Sequence, residues 1–128
     1  MVQTKLRIKT TGIDHVVLWV KDLERSKRFY IDVLGMTIAH ESDWQSFLWC
    51  GTQQIALFDA TRRGHEVHAG SELNHMALLM EPASYEEAKA RIEEEGITTR
   101  ARDADPTCLY FNDPDGHGLQ LLYKGSDE

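Results

Sequence analysis

His15 and His75 sit at the centres of two segments that repeat one another, and this repeat constrains the fold more than any other feature. IDHVVLWV (13–20) and LNHMALLM (73–80) each carry an aliphatic residue, a short polar residue, a histidine and five mostly apolar positions, 60 residues apart. Similarity at a fixed offset marks a duplicated supersecondary unit. The stretches C-terminal to these two segments also correspond. DLERSKRFYIDVLG (22–35) spaces Leu23, Phe29, Tyr30, Val33 and Leu34 as a helical stripe, with Asp22 as N-cap and Gly35 as terminator. PASYEEAKARIEEEG (82–96) puts Tyr85, Ala88 and Ile92 on one face and ends at Gly96. It opens with Pro82 and with Ser84 and Glu87 in capping-box spacing.

Short alternating runs after each helix predict strands: Met36–His40, Ser46–Cys50 and Ile55–Phe58 in the first half, Ile97–Ala101, Cys108–Phe111 and Leu119–Tyr123 in the second. Gly51 precedes IALF as Gly116 precedes LQLL. The expected chain is a single α+β domain over residues 1–128. It contains two βαβββ modules related by a pseudo-two-fold (12–59 and 72–124), joined by the polar linker 60–71.

Composition narrows the partners. A formal charge of −7 over 128 residues gives phosphate backbones no basic face to meet, so a nucleic-acid partner is not expected. No apolar run reaches the roughly 18 residues that span a bilayer, and no apolar core follows the basic N-terminal residues as a signal peptide needs. Two cysteines, Cys50 and Cys108, supply neither a disulfide framework nor a four-thiolate metal site. These features predict a cytoplasmic protein without a membrane partner.

The duplicated pattern resembles the vicinal oxygen chelate superfamily of glyoxalases, extradiol dioxygenases, fosfomycin-resistance enzymes and bleomycin-resistance proteins. The resemblance is carried by IDHVVLWVKDLERSKRFYIDVLGM (13–36), LNHMALLM (73–80) and NDPDGHGLQLL (112–122). It implies a curved mixed sheet around a cavity, a homodimer, and a divalent metal ion (Fe, Mn, Zn or Ni) held by equivalent strand positions of the two modules. Those positions are His15, Ala56, His75 and Gln120. The family usually has glutamate where Gln120 stands, and Ala56 cannot ligate. A neutral amide oxygen is a weaker donor than carboxylate, so this resemblance implies either a weakened metal site or none.

Tyr110, ten positions before Gln120 in Y-x-x-x-P-x-G-x-x-x-Q, is similar to an extradiol-dioxygenase segment in which a tyrosine lies near the substrate. A phenol there can donate a hydrogen bond or pass a proton. Trp19, Trp49, Phe47 and Phe58 are candidate cavity walls that favour an apolar or aromatic ligand over a highly charged one, and the last module lacks a run of Lys, Arg and Ser for a phosphonate. The linker histidines His65 and His68 read as solvated, His117 as part of a turn, and Glu93, Glu94 and Glu95 as a solvated helix end. The functional expectation is a metal-dependent dioxygenase, lyase or isomerase acting on a small substrate with paired oxygens. The competing expectation is a metal-free sequestration protein of the bleomycin-resistance type.

Overall fold

The computed structural model describes residues 6–81, 85–102 and 105–122. Its strands are β1 (His15–Val20), β2 (Thr37–Glu41), β3 (Gln45–Cys50), β4 (Gln53–Asp59), β5 (Met76–Leu79), β6 (Arg100–Arg102), β7 (Asp105–Asn112) and β8 (Gly118–Leu122). The helices are α1 (Leu23–Arg28), which runs on into a π-helical turn over Phe29–Val33, and α2 (Tyr85–Glu93). The strands form two four-stranded mixed sheets in the orders β1-β4-β3-β2 and β5-β8-β7-β6. In each, the first strand lies parallel to the last, and the others pair antiparallel. Val17 pairs with Ala56 as Ala77 pairs with Gln120, so the register itself places Ala56 and Gln120 at equivalent positions.

Local signals account for the element ends. The Asp22 carboxylate accepts from the Arg25 backbone N–H at 3.1 Å, capping α1. The helix ends at Gly35, whose φ of 78° favours a residue without Cβ, and Gly96 at φ 81° ends the second helical segment in the same way. Ser84 of the expected capping box lies outside the described residues. The widened turn at Phe29–Val33 is the one departure from a plain helix, and it buries both Phe29 and Tyr30. The strands run up to three residues off their expected limits. His75 itself lies one position ahead of β5.

One core joins the sheets. Leu18, Val20, Leu48 and Leu57 point from the first sheet, and Leu78, Leu109, Phe111 and Leu119 from the second, with Phe29, Tyr30 and Ile92 in the same cluster. Phe29 meets Phe111 with ring centroids 6.3 Å apart. Because side chains alternate along a strand, a shared core on one parity turns the other parity of both sheets away from it. His15 and His75 belong to that other parity. The sheets stay open on this side.

Polar clasps hold the halves together. The turn at 113–117 inserts Asp115, whose side chain is fully buried, against the start of α1. It accepts from the Lys21 backbone N–H, Arg25 Nη2 and Ser26 Oγ at 3.0–3.2 Å. The Tyr30 hydroxyl donates to Asp113 Oδ2 at 2.7 Å, and His117 Nε2 donates to the Trp19 carbonyl at 2.9 Å. Burial raises the Asp113 carboxyl, and burial beside that carboxylate pushes the Tyr30 phenol well above its ordinary value. Glu95 is no solvated helix end. It accepts from Arg28 of α1 at 2.9 and 3.3 Å and from Arg91 at 2.8 Å.

Candidate functional site

The His15 face of the first sheet is built from every second residue of three strands. β1 contributes His15, Val17 and Trp19; β4 contributes Gln54, Ala56 and Phe58; β3 contributes Gln45, Phe47 and Trp49. Its rings touch in a chain. His15 meets Phe47 edge-on at 5.6 Å, Phe47 meets Phe58 at 5.9 Å, and Phe58 meets Trp19 at 5.6 Å. The four aromatic residues expected to line a wall thus share one face. Trp49 is 42% exposed. His65 is exposed, as expected of a linker residue, but its ring stacks on Trp19 at 4.1 Å and 14°. His68 is also exposed and faces Glu66 at 3.3 Å.

The matching face of the second sheet carries His75, Tyr110 and Gln120. Tyr110 and Ala77 flank Gln120 in register, and Arg100 lies beside Tyr110 on the edge strand. His75 meets the Tyr110 ring edge-on at 6.1 Å. Asn74, His75, Arg100, Tyr110, Asn112 and Gly118 line a hollow of about 350 Å³. No residue of β1–β4 lines it. Gln120 is 5% exposed, and its Nε2 donates to Cys108 Sγ at 2.7 Å.

Both histidines carry a local partner on the same nitrogen. His15 Nδ1 lies 2.8 Å from Asp14 Oδ2, and His75 Nδ1 lies 2.8 Å from Asn74 Oδ1. A carboxylate or an amide oxygen only accepts, so Nδ1 carries the proton and Nε2 offers a lone pair. The donor chemistry therefore fits a divalent cation: two imidazole Nε2 atoms and one amide oxygen. Among the described residues, no group of three or more His, Cys, Asp and Glu side chains is placed to hold a metal ion. His75 and Gln120 share one face; His15 belongs to the other sheet.

Two residues that matter here were not singled out from the sequence. Arg100 belongs to no motif of the sequence and joins His75 and Tyr110 only through the pairing of β6 with β7. Its guanidinium makes no ion pair among the described residues, and its Nη2 donates to Asn112 Oδ1 at 3.4 Å. The hollow thus has one cationic group, Arg100, rather than the run of Lys, Arg and Ser expected for a phosphonate. Gly118 permits close approach: a Cβ there would lie 2.6 Å from the Asn74 carbonyl oxygen. Its neighbourhood to Asn74 comes from parallel pairing that no local pattern encodes.

A family model for the Glyoxalase/Bleomycin resistance protein/Dioxygenase superfamily matches residues 12–121. Among curated relatives, the chain is 29% identical to the glutathione transferase FosA of Serratia marcescens over 111 residues, covering 86% of this chain and 79% of that one. It is 32% identical to the metallothiol transferase FosB of Staphylococcus saprophyticus over 114 residues, covering 86% and 75%. An integron cassette protein from the mobile metagenome of V. cholerae superposes with a TM-score of 0.74 at 25% identity, covering 94% of this chain and all of that one. With its duplicated sheets, its paired histidines and this match over nearly its whole length, the chain belongs to the glyoxalase/bleomycin resistance protein/dioxygenase superfamily.

Proposed function

We propose that the protein is a metal-dependent enzyme acting on a small organic substrate that presents paired oxygens and an anionic group. The observation that carries this reading is the convergence of His75, Gln120, Tyr110 and Arg100 on one open sheet face. His15, His75 and Gln120 would hold the ion, which supplies Lewis-acid polarisation of the substrate's oxygens when bound. Tyr110 orients the substrate through its hydroxyl and can hold a proton there. Arg100 pairs with a carboxylate, phosphate or phosphonate group, for which its planar fork is suited. The aromatic face beside His15 excludes water and packs the substrate's carbon skeleton. Two of the relatives are transferases by name, which adds group transfer to the dioxygenase, lyase or isomerase chemistry expected from the sequence. Localisation in the cytoplasm belongs to this reading; no described helix is long and apolar enough to cross a membrane.

The working unit in this reading is a homodimer. Val17, Trp49 and Leu79 are exposed on the histidine-bearing faces, and β1 and β5 are edge strands. Apolar faces and open edges of this kind call for a covering partner, and a two-fold dimer covers both faces with the same contact. His15 of one protomer then meets the partner's His75 and the partner's Gln120.

The neutral Gln120 favours one rival, a metal-free binding protein. Calorimetry with a divalent cation separates the two. Gln120→Glu should tighten binding by adding an anionic ligand at similar length, and His75→Ala should abolish binding. Equal heats for all three proteins would remove the metal from the reading.

A further inference from the structure

We infer that Asp14 and Asn74 are positioning residues that set both imidazoles for metal binding, Asp14 supplying from behind His15 part of the negative charge that Gln120 lacks. The inference rests on the proposed metal-dependent function. Its basis is a symmetry of chemistry: at both ends of the repeat, the residue before the histidine holds Nδ1 through a side-chain oxygen at 2.8 Å. The backbones of both pairs are themselves fixed. The Asp14 carbonyl accepts from the Gln54 N–H at 3.0 Å, and the Asn74 carbonyl lies tight against Gly118. Each histidine is thereby fixed in one tautomer with Nε2 outward. Oxygen partners on the far nitrogen of a ligating histidine fix its orientation and raise its basicity.

The two partners are not equal. Asp14 carries a full charge and Asn74 none, so the pull on His15 is the stronger. A neutral amide at Gln120 leaves a divalent ion under-compensated. A carboxylate one bond network away restores part of that compensation through the imidazole, where a direct carboxylate ligand is missing. The reverse asymmetry holds in the second module, whose histidine has the neutral partner and whose sheet has the oxygen ligand.

The test is Zn²⁺ calorimetry on the full-length protein and its Asp14→Ala, Asn74→Ala, Asp14→Asn and Asn74→Asp variants, with ¹⁵N NMR of the neutral histidine rings before metal is added. Each alanine variant should bind about tenfold more weakly, the low end of the effect such partners have, because Asp14 is largely exposed. Asp14→Asn should fall between wild type and Asp14→Ala, and Asn74→Asp should bind more tightly than wild type. The NMR spectra should show the Nδ1–H tautomer at both rings in the wild type, and a mixture at the affected ring in each alanine variant. Wild-type affinity in both alanine variants, with no binding to His75→Ala, would overturn the positioning role while leaving the metal reading intact. Absence of Zn²⁺ binding to the wild type would overturn both.

Discussion

Tyr110 and Gly118 act on the same hollow in different ways. Tyr110 offers a hydroxyl beside His75, and Tyr110→Phe removes that group while keeping the ring and its packing. Turnover should fall by roughly tenfold to a thousandfold, the scale of a lost acid or oxyanion donor, with little change in melting temperature. Steady-state kinetics with a thermal melt checks this; full turnover with a lowered melting point would take Tyr110 out of the chemistry. Gly118 matters through absence. Gly118→Ala puts a methyl group where the Asn74 carbonyl oxygen lies 2.6 Å away, so β5 must move and carry His75 with it. Metal affinity should drop together with stability, by about 1–3 kcal/mol in the unfolding free energy as expected for overpacking. Denaturant melts and calorimetry on the same preparation would show both, and an unaltered pair of values would mean that the strand shifts without cost.

At the scale of elements, the contacts between α1 and its surroundings decide how the halves sit. Two arginines hold the Glu95 carboxyl at about 2, Arg28 contributing most and Arg91 next. A carboxylate depressed in the folded state stabilises it fully above the ordinary value of 4.5, and that contribution fades as pH falls through about 2. Arg28→Ala should raise the Glu95 midpoint toward the ordinary range, since only Arg91 remains. A carbon-detected NMR titration of the carboxylates reads it directly, and an unmoved midpoint would show that Arg28 and Glu95 do not pair in solution. The buried Tyr30–Asp113 bond behaves differently. Tyr30→Phe strips a donor from a carboxylate that stays buried, which costs about 1–3 kcal/mol and should leave metal affinity alone.

The whole molecule has its core in the middle and its two candidate histidine ligands on the outside, with Gln120 buried on its sheet face. That arrangement leaves His15 outside the hollow that contains His75. The proposed dimer would bring the two together. Leu79 is 68% exposed on the His75 face, and Leu79→Asp should shift the protein to monomer in analytical ultracentrifugation and weaken metal binding at the same time. A dimer that survives this change, with metal affinity intact, would place the subunit contact elsewhere.

Much of this was legible in the chain itself, because duplication and hydrophobic period are local records of a global shape. The 60-residue offset, the Asp22 cap and the terminal glycines were sufficient for two repeated α+β halves, and strand parity placed His15, Val17 and Trp19 on one face. Tyr110 and Gln120 were singled out by the family resemblance, and their pairing across β7 and β8 is a finding of the structure. What the sequence could not contain was register between strands and the packing of one sheet against the other. Arg100 reaches Tyr110 across a strand pair, Gly118 meets Asn74 across a parallel one, and His65 folds back onto Trp19 from a loop. Periodicity says which side of a strand a residue occupies; it carries no information on which strand lies alongside. Which side of each sheet faces the common core was likewise decided by Phe29, Tyr30 and Ile92 packing between them, and that choice turned both histidines outward.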